Sequence, residues 1–123
     1  MAGEAVTITE TVTGSVKKIK FAWTTGSGGE SPAVATTFAY SGQVMQLTTV
    51  PSGGGTAPTD NYDVTLLDSD GVDVLAGGGA DRDTANTETV RASSLGMVAG
   101  SPLTLNVASG GNSKQGTAYV YIR

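Results

Sequence analysis

Apolar residues alternate with threonines from the start of the chain. Val6, Ile8 and Val12 share one parity, and Thr7, Thr9, Thr11 and Thr13 take the other. This is the period-2 pattern of a strand with one buried face. Gly14-Ser15 predicts a turn. Ile19, Phe21 and Trp23 then alternate with Lys18, Lys20, Ala22 and Thr24, so a second strand pairs with the first as a hairpin. Thr25 to Pro32 reads as a Gly/Ser loop. Residues 33–40 read as a third strand, with Val34, Phe38 and Tyr40 on one face. Ser41-Gly42 reads as a turn, and Gln43 to Val50 as a fourth strand.

The second half repeats this rhythm. Pro51 to Asp60 is a flexible loop, and Tyr62 to Asp68 a fifth strand. Ser69-Asp70-Gly71 turns the chain, and Val72 to Leu75 returns beside it. Ala76 to Asn86 is a second Gly-rich loop, Thr87 to Ala92 a short strand, and Ser93 to Val98 room for one helical turn. Leu103, Leu105 and Val107 alternate again. Thr117 to Arg123 closes the chain, with Tyr119 and Tyr121 on one face and Ala118, Val120 and Ile122 on the other, a strand that could be buried on both sides. No segment holds a 3.6-residue period. Eight or nine short strands at turn spacing predict an all-β antiparallel domain: a sandwich, jelly roll or small barrel.

Composition agrees with that expectation. The 123 residues fit one domain. The 18 glycines suit tight turns, and the abundant threonine and valine suit a pleated surface. Residues 1–20 lack the apolar run of a signal peptide, and no stretch has the length of a membrane span. The chain is therefore expected to start in a cytoplasm, without a membrane partner. A net charge of −4 also speaks against a nucleic-acid partner. Acids crowd one stretch (Asp60, Asp63, Asp68, Asp70, Asp73, Asp81 and Asp83), while Lys17, Lys18 and Lys20 sit early. Both groups suit solvated faces, and they could also orient copies or partners.

Catalysis is the class most strongly excluded. The chain has 0 His and 0 Cys, which removes Ser-His-Asp and Cys-His arrangements and the commonest transition-metal ligands. Ser113 and Lys114 are adjacent and so point to opposite faces of a strand. The aspartates could supply paired carboxylates for glycoside chemistry, but polar hairpin ends explain them as well. Gly53 to Gly55 and Gly77 to Gly79 lack the Gly-Lys-Ser/Thr end and the strand–turn–helix frame of phosphate loops. They must instead bend freely or pass close to another surface. Asp68, Asp70 and Asp73 around Gly71 place oxygen ligands near alternate positions, a weak calcium candidate. The Gly falls too early for an EF-hand and no Glu follows, and an Asp-Gly hairpin turn accounts for the same residues. Trp23, Phe21, Phe38 and Tyr40 are expected in the core; exposed, they would form a sugar- or base-stacking surface.

The run Thr59 to Asp83 (TDNYDVTLLDSDGVDVLAGGGADRD) and the final GNSKQGTAYVYIR resemble small proteins encoded among the virion structural genes of tailed phages. The resemblance implies a virion component of the head decoration (cement) type. Such proteins bind the major capsid protein at the outer surface of the head, commonly as trimers over three-fold positions, and their folds include jelly rolls. Neck and tail accessory proteins are the alternative within that class. A glycan- or receptor-binding β-module is the alternative outside it. The resemblance leaves the N-terminal part of the chain uncovered and carries no residue-level contact.

Overall fold

The structure, a computed structural model, describes residues 4–123. Nine strands run in chain order: β1 (Ala5–Thr13), β2 (Val16–Thr24), β3 (Val34–Ala35), β4 (Tyr40–Pro51), β5 (Asp63–Leu67), β6 (Glu88–Arg91), β7 (Met97–Ser101), β8 (Thr104–Ala108) and β9 (Gln115–Ile122). They make two antiparallel sheets. The larger has the order β1-β2-β9-β4-β6, with β7 also on β4; the smaller is β3-β8-β5. The domain is an all-β sandwich. Ile19, Phe21 and Trp23 of β2, Leu47 of β4 and Val120 of β9 face Val64 and Leu66 of β5 and Leu105 and Val107 of β8 in one buried cluster.

Alternation explains why these strands form. In β2, β8 and β9 the buried residues fall on every second position, so a one-residue slip would put each apolar set into water. Gly14 at φ +60 opens the two-residue loop between β1 and β2. That is the glycine-first geometry of a II′ hairpin.

Elsewhere the structure departs from the sequence reading. The strand expected over 33–40 shrinks to Val34–Ala35, because side chains take over its hydrogen bonds. Thr36 Oγ1 accepts from the Leu103 N–H and donates to the Phe38 carbonyl, while Glu10 takes the N–H groups of Thr37 and Phe38. Phe38 consequently leaves the core and is 56% exposed. Ser41-Gly42 is no turn. It lies inside β4, where a register shift bends the strand. Gly42 has φ +134, and a Cβ there would meet the Arg123 carbonyl oxygen at 2.5 Å. Val12 shares the buried parity but is 62% exposed, toward the hairpin end of β1. β9 is buried on one face only, with Thr117, Tyr119 and Tyr121 half-buried on the other.

Val72 to Leu75 forms no return strand. A single bridge, Leu67 to Asp73, is followed by tight turns. The Gly-rich segment after it is no free loop, for it covers the open edge of β5. Val64 N–H donates to the Gly79 carbonyl and Val74 N–H to the Leu66 carbonyl. A Cβ on Gly79 would fall 2.1 Å from the Val64 oxygen, so only glycine permits this approach. Gly53, Gly54 and Gly55 meet nothing comparable, and their role is the bend alone. The helical turn expected over Ser93 to Val98 is a 3₁₀ turn at Ala92–Ser94 that leads directly into the unforeseen strand β7.

Candidate functional site

In the acidic stretch the carboxylates of Asp60, Asp63, Asp68, Asp73 and Asp83 bind backbone. Asp73 Oδ1 accepts the N–H of Leu66 and of Leu75, and its Oδ2 accepts that of Gly77. Asp68 Oδ1 accepts from Asp70 and Val72. Asp63 accepts from Asp81, Asp60 from Thr84, and Asp83 from Ala85 and Asn86. These last bonds hold the Asp83 carboxyl below its ordinary value, since N–H donors favour the charged form. Asp68, Asp70 and Asp73 are therefore not brought together as a ligand set. Among the described residues no group of three or more Asp or Glu side chains is placed to hold a metal ion. The segment is a series of Asx-type turns that tie the cover of β5 in place.

The C-terminal motif has the same structural logic. Thr25, buried, donates from Oγ1 to the Gly111 carbonyl and accepts from the Lys114 N–H. Lys114 Nζ donates to the Gly55 carbonyl and the Ser113 hydroxyl to Asn112. Ser113 and Lys114 thus have separate partners, away from any nucleophile–base geometry. Gly116 lies under the indole of Trp23, where a Cβ would stand 2.4 Å from Cζ2.

Glu10 is a carboxylate that crosses between sheet and loop. It accepts the N–H groups of Thr37 and Phe38 and the hydroxyl of Tyr40, at 2.9, 3.1 and 2.7 Å. Burial pushes its pKa up, but these three donors outweigh burial and hold it below the ordinary value. The Tyr40 phenol is pushed far up by burial and by the neighbouring carboxylate. The bonds fix the exposed Phe38 beside β1. Tyr62 is different. Burial raises its pKa. Its hydroxyl has no partner of full hydrogen-bond geometry, and the nearby Thr49 hydroxyl gives only a weak contact.

The broad outward face of the larger sheet remains. The strand registers set Thr11, Lys18, Tyr121, Gln46 and Arg91 in one row across it. The next row is Thr9, Lys20, Tyr119, Thr48 and Thr89. The charges in these rows, Lys18, Lys20 and Arg91, are all cationic in a chain of net charge −4. Lys18 Nζ lies over the rings of Tyr119 and Tyr121, 5.1 and 5.9 Å from their centroids. Below these rows the side chains shorten to Thr7, Ala22 and Thr117, leaving an open groove of about 380 Å³. Among the described residues no titratable side chain lines it. The face can make hydrogen bonds and attract anions.

The aromatic residues singled out in the sequence divide. Trp23, Phe21 and Tyr40 are buried, and Trp23 packs at 5.4 Å from Tyr62. Phe38 alone of that set is exposed. Sequence reasoning missed Tyr119 and Tyr121 as surface residues because β9 read as two-sided core; the lysines opposite them in β2 were the available signal.

No protein-family model and no curated protein matches the chain. Two solved structures overlie it loosely. A cupin domain from Bordetella pertussis Tohama I gives a TM-score of 0.39 at 13% identity, over 99% of this chain and 95% of that one. A low-affinity xylan-binding module, CBM86, from Roseburia intestinalis gives 0.34 at 9%, over 97% and 85%. Overlaps this loose have no bearing on function.

Proposed function

We propose that this protein is a non-catalytic virion component that docks on the outer surface of a phage head, with the major capsid protein as partner. The phage-like motifs motivate that class. The observation that carries the mode of action is the outward face of the larger sheet, where Lys18, Lys20 and Arg91 stand with half-exposed tyrosines and no carboxylate intervenes. Such a face suits an acidic protein surface, and many copies on one particle multiply a modest affinity. The aspartates sit in the segments around β5, where most of them brace loops.

A glycan-binding reading fits less well. Stacking a sugar needs a free aromatic face, but Trp23 and Tyr40 are buried and Lys18 covers Tyr119 and Tyr121.

Co-sedimentation of the purified protein with expanded heads tests the proposal. Binding should weaken with salt and be lost in the double variant Lys18→Glu/Lys20→Glu. Absence of affinity for any head or tail assembly would overturn it, and density at the neck or tail by electron microscopy would move the site off the head.

A further inference from the structure

The sheet edges other than β1 are short or covered. β3 spans only Val34–Ala35, β6 only Glu88–Arg91 and β7, which pairs with β4 alone, only Met97–Ser101, while the edge of β5 is covered by the Asp73–Arg82 segment. β1 is the exception. It is nine residues long, pairs with β2 in unbroken register, and contains no lysine, arginine, proline or bulge. Lysine, proline and bulges are among the devices that protect an edge, and the one charge that β1 turns inward, Glu10, is held by Thr37, Phe38 and Tyr40. Among the described residues, no backbone hydrogen bond reaches β1 from any element but β2. In a hairpin with a two-residue loop, Thr13 and Val16 form the terminal hydrogen-bonded pair. The odd positions of β1 therefore bond β2, and Val6, Ile8, Glu10 and Val12 direct their N–H and C=O groups outward.

We propose that this edge pairs with β1 of a second copy, antiparallel about a two-fold axis at Thr9. Thr9 is the midpoint of the strand, so this register alone overlaps all of it. Val12 then stands opposite Val6 of the other copy, Ile8 opposite Glu10, and Thr7 opposite Thr11, with Thr9 facing its own equivalent. About eight backbone hydrogen bonds close the joint. The parity is kept: the threonines form one ladder on the outward face, and the apolar residues meet on the inner side. Registers centred on Glu10 or on Thr7 would set carboxylates opposite one another, Glu10 on Glu10 or Glu10 on Glu4, at a repulsive cost. The exposed apolar groups flank this joint. Val12 is 62% exposed, and Phe38, 56% exposed, is tied by its N–H to Glu10, the residue that faces the other copy's Ile8. The contact is isologous and closes on itself as a dimer, so a three-fold assembly of the kind the phage resemblance implies would have to use another surface.

The test uses the full chain alone, with no particle, and so stands apart from the docking proposal. Light scattering on the eluting protein should give twice the chain mass of 12.3 kDa. The chain has 0 cysteines, so single substitutions act as unique probes. Thr9→Cys, on an exposed outward position, should form a disulfide-linked dimer under mild oxidation. Thr7→Cys and Thr11→Cys should not do so singly, and should link when mixed. A single-chain mass at every concentration would overturn the proposal. So would a mass of three chains, or linkage by Thr7→Cys alone.

Discussion

Replacing Asp73 by alanine separates the turn reading of the acidic stretch from the calcium reading. The Asp73 carboxylate serves three backbone donors: Leu66 and Leu75 through Oδ1, and Gly77 through Oδ2. Two of these bonds are partly buried and the third is exposed. Water can replace the acceptor at Gly77, at little cost. It reaches the other two poorly, and each stranded N–H costs about 1–2 kcal/mol. The expected loss for Asp73→Ala is therefore about 2–4 kcal/mol. In a domain of this length that lowers Tm by roughly 8–16 °C. Asp73→Asn keeps an oxygen for Leu66 and Leu75 but turns an amide toward Gly77, and should lose about 1 kcal/mol. Asp70 contributes its N–H to Asp68 and stands exposed, so Asp70→Ala should stay within about 0.5 kcal/mol of the parent. Thermal melts by circular dichroism, with and without calcium, read all of this. Equal losses in Asp70→Ala and Asp73→Ala would refute the turn reading. So would a rise in the parent Tm with calcium that both variants abolish, since a ligand bound to the folded state stabilises it by mass action.

Three further outcomes rest on single contacts. Gly116→Ala forces a Cβ to within 2.4 Å of the buried Trp23 indole and should cost about 1–3 kcal/mol. The emission of this single tryptophan should shift with it, and an unchanged melt and spectrum would contradict the packing described. Tyr62→Phe removes a buried hydroxyl that lacks a good partner while keeping the ring against Trp23. Stability should hold or rise by up to about 1 kcal/mol, and a clear fall would mean that the hydroxyl is satisfied. Glu10 has a folded pKa below its ordinary value, so its contribution is present above roughly pH 4 and is lost as pH falls through the folded value. Tyr40 has a raised pKa, so its contribution holds below roughly pH 10 and fades above it. Glu10→Gln should narrow the melting-temperature difference from the parent as the pH drops, and a constant difference down to acid pH would refute the clamp.

The strands most legible in the sequence are those with one face on the core and one toward solvent. β2, β8 and β9 each alternate because one face meets the other sheet. The candidate site was legible only in fragments. The alternating lysines of β2 marked an outward face, but the tyrosines of β9 beside them did not read as surface. A strand's neighbours in a sheet are set by topology, and β9 sits between β2 and β4, far away in the chain. The acidic stretch read as turn residues with a weak cation candidate beside them. Local spacing allows both, and the difference is whether backbone donors such as Leu66 N–H reach the carboxylate.

By itself the sequence determined the all-β class, the hairpin of β1 and β2, the apolar sets that fill the core, and the exclusion of His- and Cys-based chemistry. These depend on period-2 patterning and residue type, which are local properties. Only the tertiary structure decided where strands end and which edges stay open. Residues 33–40 stopped short as a strand because Glu10 and Leu103, remote in sequence, claim their hydrogen bonds. Ser41-Gly42 continues β4 through a register shift instead of turning, with Gly42 close against Arg123. The Gly77–Gly79 run seals β5, whereas among the described residues no corresponding segment seals β1. Hydrogen-bond demand is the same at every residue, but its satisfaction depends on which distant segment arrives.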